Sequence, residues 1–329
     1  MEDGLILIER NIKEQIESVL KRTGVLYRLF SRIKGENSIN EKIDRKEKKK
    51  EGYSPDGKLM QDIIGFRITT YFSDDVKILV DYFSSYFEKI ELQYDEPHKE
   101  AFKPLRKNLI CRMCDDNLKI FNDLKTANKE SFTLVDSTFE IQFRTTLSEG
   151  WHEVDHNMKY KCQNEWKDSQ IRILNGIYAT LETSDHALIT LFEDNAYQHY
   201  KEKNWTAMLR NKYRLRFDLK PLSSEISDIF CKEMGLAKCF FRIGRRDIIN
   251  QILNTSIRMK ITFDNIVFLC NYLKIKNKTI FKLTPEILKD DFKEYFGEFE
   301  ENSAEEKNGI QQAVWHNGGC NSAEHFVRT

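Results

Sequence analysis

Proline and glycine are scarce in this chain, at 5 and 14 of 329 residues. That excludes collagen-like and low-complexity linker architectures and makes long helices the default expectation. No stretch reaches the roughly 18 to 20 uncharged apolar residues that a membrane-spanning helix needs. Net charge is missing too: Lys plus Arg and Asp plus Glu number 52 each, so no global basic field draws nucleic acid and any anion site must be local. The seven cysteines are odd in number and scattered from Cys111 to Cys320. They form no disulfide framework and read as thiols of a reducing compartment. The opening MEDGLILIER carries acids at Glu2 and Asp3 and only a short apolar run. A secretory signal has a different layout, and a cytoplasmic location is expected.

What is present is a chain of 40% apolar and 32% charged residues, ample for one large or two ordinary domains. From Leu5 to Phe30 apolar residues recur at helical spacing, including Ile12, Ile16, Val19 and Leu20 and then Leu26, Leu29 and Phe30, which predicts an amphipathic helical opening. The stretch from Ser31 to Pro55 crowds in Lys34, Lys42, Arg45 and four more lysines before a Ser-Pro-Asp-Gly turn. Asp62 to Phe72 is rich in β-branched and aromatic residues and predicts a strand, followed by a helix that starts at Ser73-Asp74-Asp75. Further strands are predicted at Asn108–Met113, Phe132–Asp136 and Thr138–Thr145, with a polar gap around Asp115 to Lys129. After Trp151 the periodicity is helical almost throughout, and the segment from Glu300 onward lacks any period. The simplest partition is a central α/β unit near residues 1–165 with a helical module near 200–300.

The chemistry concentrates on Phe139 to Arg144. Strand parity puts Glu140, Gln142 and Arg144 on one face and Phe139, Ile141 and Phe143 on the other. A polar strand face ordinarily meets water. Here it keeps company with a second acid, Asp62, at the start of the other strand, and with a cationic block of Arg32, Lys34, Lys42 and Arg45. Two carboxylates and several cations suit Mg²⁺ held together with substrate phosphates, whose remaining charge Lys and Arg offset. Two other clusters carry less. Cys111-Arg112-Met113-Cys114 lies inside a predicted strand with no second pair at zinc spacing, and His316, Cys320 and His325 supply only three ligands in the aperiodic tail. The Arg242, Arg245 and Arg246 cluster reads first as a solvated helix start.

Four blocks, in order, resemble the RelA/SpoT alarmone synthetase domain: Ser31 to Lys42, Asp62 to Ile68, Glu140 to Thr145, and Trp151 through His156 to Tyr160-Lys161. They span roughly residues 25–165, and four ordered blocks are far more specific than one short motif. The resemblance implies an α/β (α+β) fold with a nucleotidyltransferase-like mixed sheet flanked by helices. With it comes transfer of pyrophosphate from ATP to a ribose 3′-hydroxyl. Residues 1–200 are expected to form the synthetase domain with its trailing helices and 201–300 an all-helical regulatory or interaction module, while the aperiodic 301–329 reads as a flexible tail. By position, Asp62 and Glu140 are the catalytic acids and the Mg²⁺ ligands, with Glu140 activating the hydroxyl. Arg32 and Arg67 are the pair that sandwiches adenine, a role for flat guanidinium groups. Lys34, Lys42 and Arg45 form the phosphate cradle, and His156 belongs to the segment that buttresses the site or is an ordinary core histidine.

One departure stands out. The family's Gly-Tyr-Arg-Ser-x-x-His loop, whose tyrosine stacks on the acceptor guanine, has no counterpart here. The corresponding region reads Ala101-Phe102-Lys103-Pro104-Leu105-Arg106-Lys107. Phe102, Lys103 and Arg106 are the substitute acceptor-binding candidates, together with Gln142, Arg144 and His156. Three readings of the activity stay open. They are synthesis of a (p)ppGpp-type alarmone from GDP or GTP, toxin-like pyrophosphorylation of the tRNA 3′ end, and a silent nucleotide-binding regulator. The family also assembles through helices or is restrained by partners, so a homo-oligomer or a regulatory protein partner is expected at the helical half. The family's hydrolase pattern is not found before residue 25, and no alarmone hydrolysis is expected.

Overall fold

The computed structural model describes residues 2–48, 50–99, 102–127, 132–160 and 166–300. Helix α1 (Glu2–Thr23) buries Leu5, Ile8, Ile12, Ile16, Val19 and Leu20, a stripe at three- and four-residue spacing. It stops at Gly24, whose φ of 69° continues no right-handed helix. The expected helical opening is therefore cut short, and Leu26, Leu29 and Phe30 belong to a strand and its approach instead. In β1 (Tyr27–Ile33) burial alternates residue by residue, with Arg28, Phe30 and Arg32 on the exposed face. The apolar spacing at 26, 29 and 30 imitated a helix, but Gly24 resets the period.

Helix α2 (Glu36–Lys48) follows, then β2 (Ile64–Thr70), α3 (Ser73–Tyr86), the edge strand β3 (Lys89–Tyr94) and β4 (Lys107–Arg112). The polar gap after β4 is a helix, α4 (Asp115–Ala127), with Asp115 and Asp116 at its positive N-terminal end. The strand expected at Phe132–Asp136 reduces to one rung: Met60 donates to Leu134 and accepts from Asp136, while Phe132 packs on Phe121. Strand β5 (Thr138–Thr145) falls where predicted.

The sheet order is β1-β2-β5-β4-β3, with β2 and β5 parallel and the other neighbours antiparallel. One face, carrying Phe66, Ile68, Phe139, Ile141 and Phe143, is buried; Phe83 of α3 packs on Phe143, and Phe66 meets Phe139 edge to face at 5.9 Å. The opposite face carries the polar residues. The mixed sheet with flanking helices is the fold class expected from the sequence.

Beyond β5 the chain is helical: α5 (Thr146–Val154), a π-helical segment (Asp155–Tyr160) and α6 (Asp168–Lys201). Then come α7 (Trp205–Tyr213), α8 (Ser224–Lys232), α9 (Met234–Arg242), α10 (Arg245–Asn254), α11 (Phe263–Cys270), α12 (Lys278–Leu283) and α13 (Glu286–Phe296). The fold divides into two compact units between Glu193 and Asp194. The second is helical among its described residues and has its own core, including Trp205, Phe230, Phe240, Phe263 and Phe292. The expected flexible tail, 301–329, lies outside the described residues, as do His316, Cys320 and His325.

Candidate active site

Register fixes what meets what on the polar face. One row across the sheet reads Arg32, Gly65, Glu140, Ile110, and the next reads Phe30, Arg67, Gln142, Asn108. Paired residues point to the same face, so Arg32 and Glu140 flank a position that has no side chain. A Cβ built on Gly65 would meet nothing nearer than the Arg32 Nε at 3.7 Å. The resulting cleft, about 420 Å³, is lined by Arg32, Gly65, Arg67, Glu140, Gln142 and Glu149 among others.

Glu140 is only 9% exposed. Its Oε1 accepts from Asn108 Nδ2 at 3.0 Å and its Oε2 from Gln142 Nε2 at 2.7 Å. Neutral amides thus fix the carboxylate without consuming its charge, and each oxygen keeps a lone pair. The Asn108 Oδ1 beside it is buried without a partner.

Arg67 is held from three sides. Its Nε donates to Gln142 Oε1 at 3.3 Å, and its Nη1 donates to both Glu149 and Glu153. The helix supplying those acids begins as it does because β5 ends on a capping box: Thr145 Oγ1 accepts from Ser148 N and Ser148 Oγ accepts from Thr145 N, both at 3.1 Å. From that start, Glu149 and Glu153 are four residues apart and face one way. Trp151 fixes the helix from behind: its Nε1 donates to Leu174 O at 2.8 Å and its ring lies 4.9 Å from that of Tyr178.

Asp62 stands just ahead of β2, bound by two ammonium groups. Lys42 reaches both its oxygens at 2.7 Å, and Lys34 pairs with Oδ2 while also donating to the Asp62 carbonyl at 3.1 Å. Burial alone would raise the Asp62 pKa, but Lys34 and Lys42 hold it below the ordinary carboxylate range. One carboxylate compensates one ammonium well and two poorly. Burial, reinforced by Lys42, brings Lys34 down to about 8, although Asp62 pulls the other way; Lys42, with Asp62 outweighing its burial, is raised.

The remaining candidates are placed less centrally. Arg45 lies in the last turn of α2. Phe102 and Lys103 are exposed and line neither this cleft nor the cavity at the end of β5. Arg106 turns away to Asp95, with its Nε 3.0 Å from Oδ2. The structure therefore does not bring the three loop candidates to Glu140, whereas Lys107, two residues from Leu105, opens β4 and lines the cavity at the end of β5. Arg144 points to the same face as Glu140 and Gln142, and His156 is exposed on the π-helical segment, lining an adjoining cavity with Arg32, Arg67 and Gln142. The side chain of Tyr160 and all of Lys161 lie outside the described residues. In the CxxC, Cys111 is buried and burial pushes its thiol up to about 12, while Cys114 is exposed; both are free.

Sequence reasoning missed Glu149, Glu153 and His152. The first two carried a signal, acids at i and i+4 just after the polar strand. His152 lines the adjoining cavity, where burial first and then Arg144 and Arg67 drive its pKa down to about 3. It is a neutral imidazole at ordinary pH.

A divalent cation of the Mg²⁺ kind takes hard oxygen donors, one or two carboxylates plus substrate phosphates. Asp62, Glu140 and the unpartnered Asn108 Oδ1 are oxygen donors of that type, and among the described residues no trio of His, Cys, Asp and Glu closes an all-protein site. By chemistry these donors suit such an ion, and in this structure Lys34 and Lys42 occupy both Asp62 oxygens.

Residues 31–165 match the sequence model described as "Region found in RelA / SpoT proteins". No curated protein sequence matches the chain. Similar solved structures include a GTP pyrophosphokinase family protein from Streptococcus pneumoniae, 21% identical, covering 56% of this chain and 87% of that one at a TM-score of 0.44. Small alarmone synthetase 1 from Bacillus subtilis is 19% identical, covering 57% and 94% at 0.41. The same synthetase bound to its product pppGpp is 18% identical, covering 58% and 95% at 0.39.

Proposed function

We propose that this chain transfers pyrophosphate from ATP to the 3′-hydroxyl of a guanosine nucleotide, GDP or GTP, a reading supported by the match of residues 31–165 to the region found in RelA / SpoT proteins. The observation that carries the reading is the row Arg32, Gly65, Glu140, in which a nearly buried carboxylate faces an arginine across a bare glycine. The cleft has room for a flat base between the Arg32 and Arg67 guanidinium groups, both of which line it. Glu149 and Glu153 orient Arg67, so its plane is set before the base arrives.

The reaction is an in-line displacement at the β-phosphorus. The acceptor oxygen forms a bond to that phosphorus, the bond to the oxygen bridging the α- and β-phosphorus breaks, and AMP leaves. Glu140 takes the hydroxyl proton, its carboxylate held in place by two neutral amides. Lys34, Lys42 and Arg45 offset phosphate charge, and the Asp62 ion pairs hold Lys34 and Lys42 together near the start of β2. Asp62 and Glu140 would hold Mg²⁺, which when bound polarises the phosphoryl oxygens and neutralises their charge.

The exposed Phe102 and Lys103 also suit a polynucleotide end, which keeps a tRNA 3′ terminus as the second reading. Incubation with ATP labelled at the β- and γ-phosphates, offered GDP, GTP, ATP and bulk tRNA in parallel, separates the two. Label on GDP or GTP is the expected result. Label on tRNA alone replaces the acceptor, and no transfer to any of them overturns the catalytic reading.

A further inference from the structure

At the carboxyl end of β5 lies a second cavity of about 490 Å³, lined by Lys107, Arg144, Thr145, Tyr178 and Asp185 among others. A third space shares Arg32, Arg67 and Gln142 with the cleft at Glu140 and Arg144 and His152 with this cavity. Along β5, Glu140 and Thr145 are five residues apart, roughly 16 Å at the usual rise. That is about the reach of a nucleoside hydrogen-bonded at both ends, with its sugar hydroxyl at one and its base at the other.

Asp185 of α6 is 6% exposed. Its Oδ2 accepts from Thr145 Oγ1 at 2.6 Å, whereas its Oδ1 is buried with no partner. A buried acceptor left unpaired costs free energy and calls for a donor. Lys107, lining the same cavity, attracts Asp185 but forms no ion pair with it among the described residues. Tyr178 closes one wall, its hydroxyl accepting from Leu105 N at 3.3 Å.

We propose that Asp185 reads the acceptor base, its Oδ1 accepting N–H donors from the Watson–Crick edge of guanine. The inference rests on the reading that Glu140 receives the acceptor hydroxyl. A carboxylate is acceptor-only. Guanine offers it two adjacent donors, the N1–H and the 2-amino group; adenine puts a lone pair at N1, and xanthine replaces the 2-amino group by an oxygen. Buried hydrogen-bonding sites reject such analogues strongly because the mismatched groups stay unpaired. The selectivity lost with the family's tyrosine loop is thereby supplied by a helix beyond the 31–165 region.

The test measures binding of GDP and of xanthosine diphosphate to the full chain and to Asp185→Asn. The donor site is kept filled by an ATP analogue with a methylene between the α- and β-phosphorus. The amide oxygen of the variant still accepts from Thr145, while its NH₂ now donates to the xanthine O2. The wild type should favour GDP by at least about tenfold and the variant should reverse that ratio. Equal binding of the two nucleotides by the wild type, or a variant with the wild-type ratio, overturns the proposal; if the variant does not fold, the wild-type ratio alone decides. Label transfer to GDP with an unreversed ratio defeats this inference only. A reversed ratio without transfer defeats the catalytic reading only.

Discussion

At the residue scale the site is a set of polar and charged groups, each held by identifiable partners. Glu140 is fixed by two amides, Asp62 by two ammonium groups, and Arg67 by two carboxylates. His152 is the neutral member: burial, Arg144 and Arg67 bring it down to about 3. Its folded pKa lies below that of the unfolded chain, about 6.5. The stability this linkage contributes is fully present above about 6.5 and is lost as pH falls from there towards 3, because the unfolded chain takes up a proton that the folded protein refuses. We predict that the His152 ring shows no titration in NMR spectra between pH 5 and 8. A midpoint near 6.5 would mean that it is solvated and remote from the two arginines. Lys34 is likewise depressed, but in the alkaline range. Its pKa of about 8 against an ordinary 10.5 makes its contribution to stability increase as pH rises through that interval.

Several of these residues are legible in the amino-acid sequence. Strand parity alone puts Glu140, Gln142 and Arg144 together, and the family resemblance adds Arg32 and Arg67. Glu149 and Glu153 show there only as an acidic i, i+4 pair and His152 not at all, because Arg67, which they face, lies more than 80 residues earlier in the chain, and that proximity exists only once β2 pairs with β5. The placement of the loop candidates is hidden for a similar reason. Arg106 finds Asp95 across the β3–β4 turn, a contact that depends on an edge strand with little sequence signal.

At the scale of elements, β2 and β5 are readable because β-branched and aromatic residues fill them, and α1 because its apolar stripe is regular. Strand β3 is not, since Lys89 and Glu91 on an exposed edge dilute its pattern. Strand β1 is obscured by a helical coincidence that Gly24 ends. Gly65 shows how an element serves the site by omission. Alanine there meets only ordinary van der Waals contacts with Arg32, whereas a larger side chain fills the space between Arg32 and Glu140. We predict that Gly65→Ala keeps nucleotide binding and changes the unfolding free energy by no more than about 0.5 kcal/mol. Gly65→Val, a favourable strand residue, should fold but lose ATP binding in calorimetry. Unimpaired ATP binding by the valine variant would remove the cleft as the donor site.

At the scale of the whole molecule, equal totals of acid and base conceal a local arrangement: α2 and β1 bring cations to one face of a sheet whose centre carries Glu140. No helix among the described residues is long and apolar enough to cross a membrane. The first compact unit carries every described candidate for the transfer chemistry, and the second has its own aromatic core, in which Trp205 meets Phe230 edge to face at 5.7 Å. The account as a whole turns on Glu140 as the group that activates the acceptor hydroxyl. The most direct measurement is single-turnover transfer of label from ATP to GDP by wild type and Glu140→Gln, with thermal unfolding followed in parallel. The variant keeps the size and polarity of the side chain and loses its charge, so the account predicts a rate at least about a hundredfold lower at unchanged ATP affinity and a cooperative melt. A Glu140→Gln protein that transfers label at the wild-type rate would contradict it.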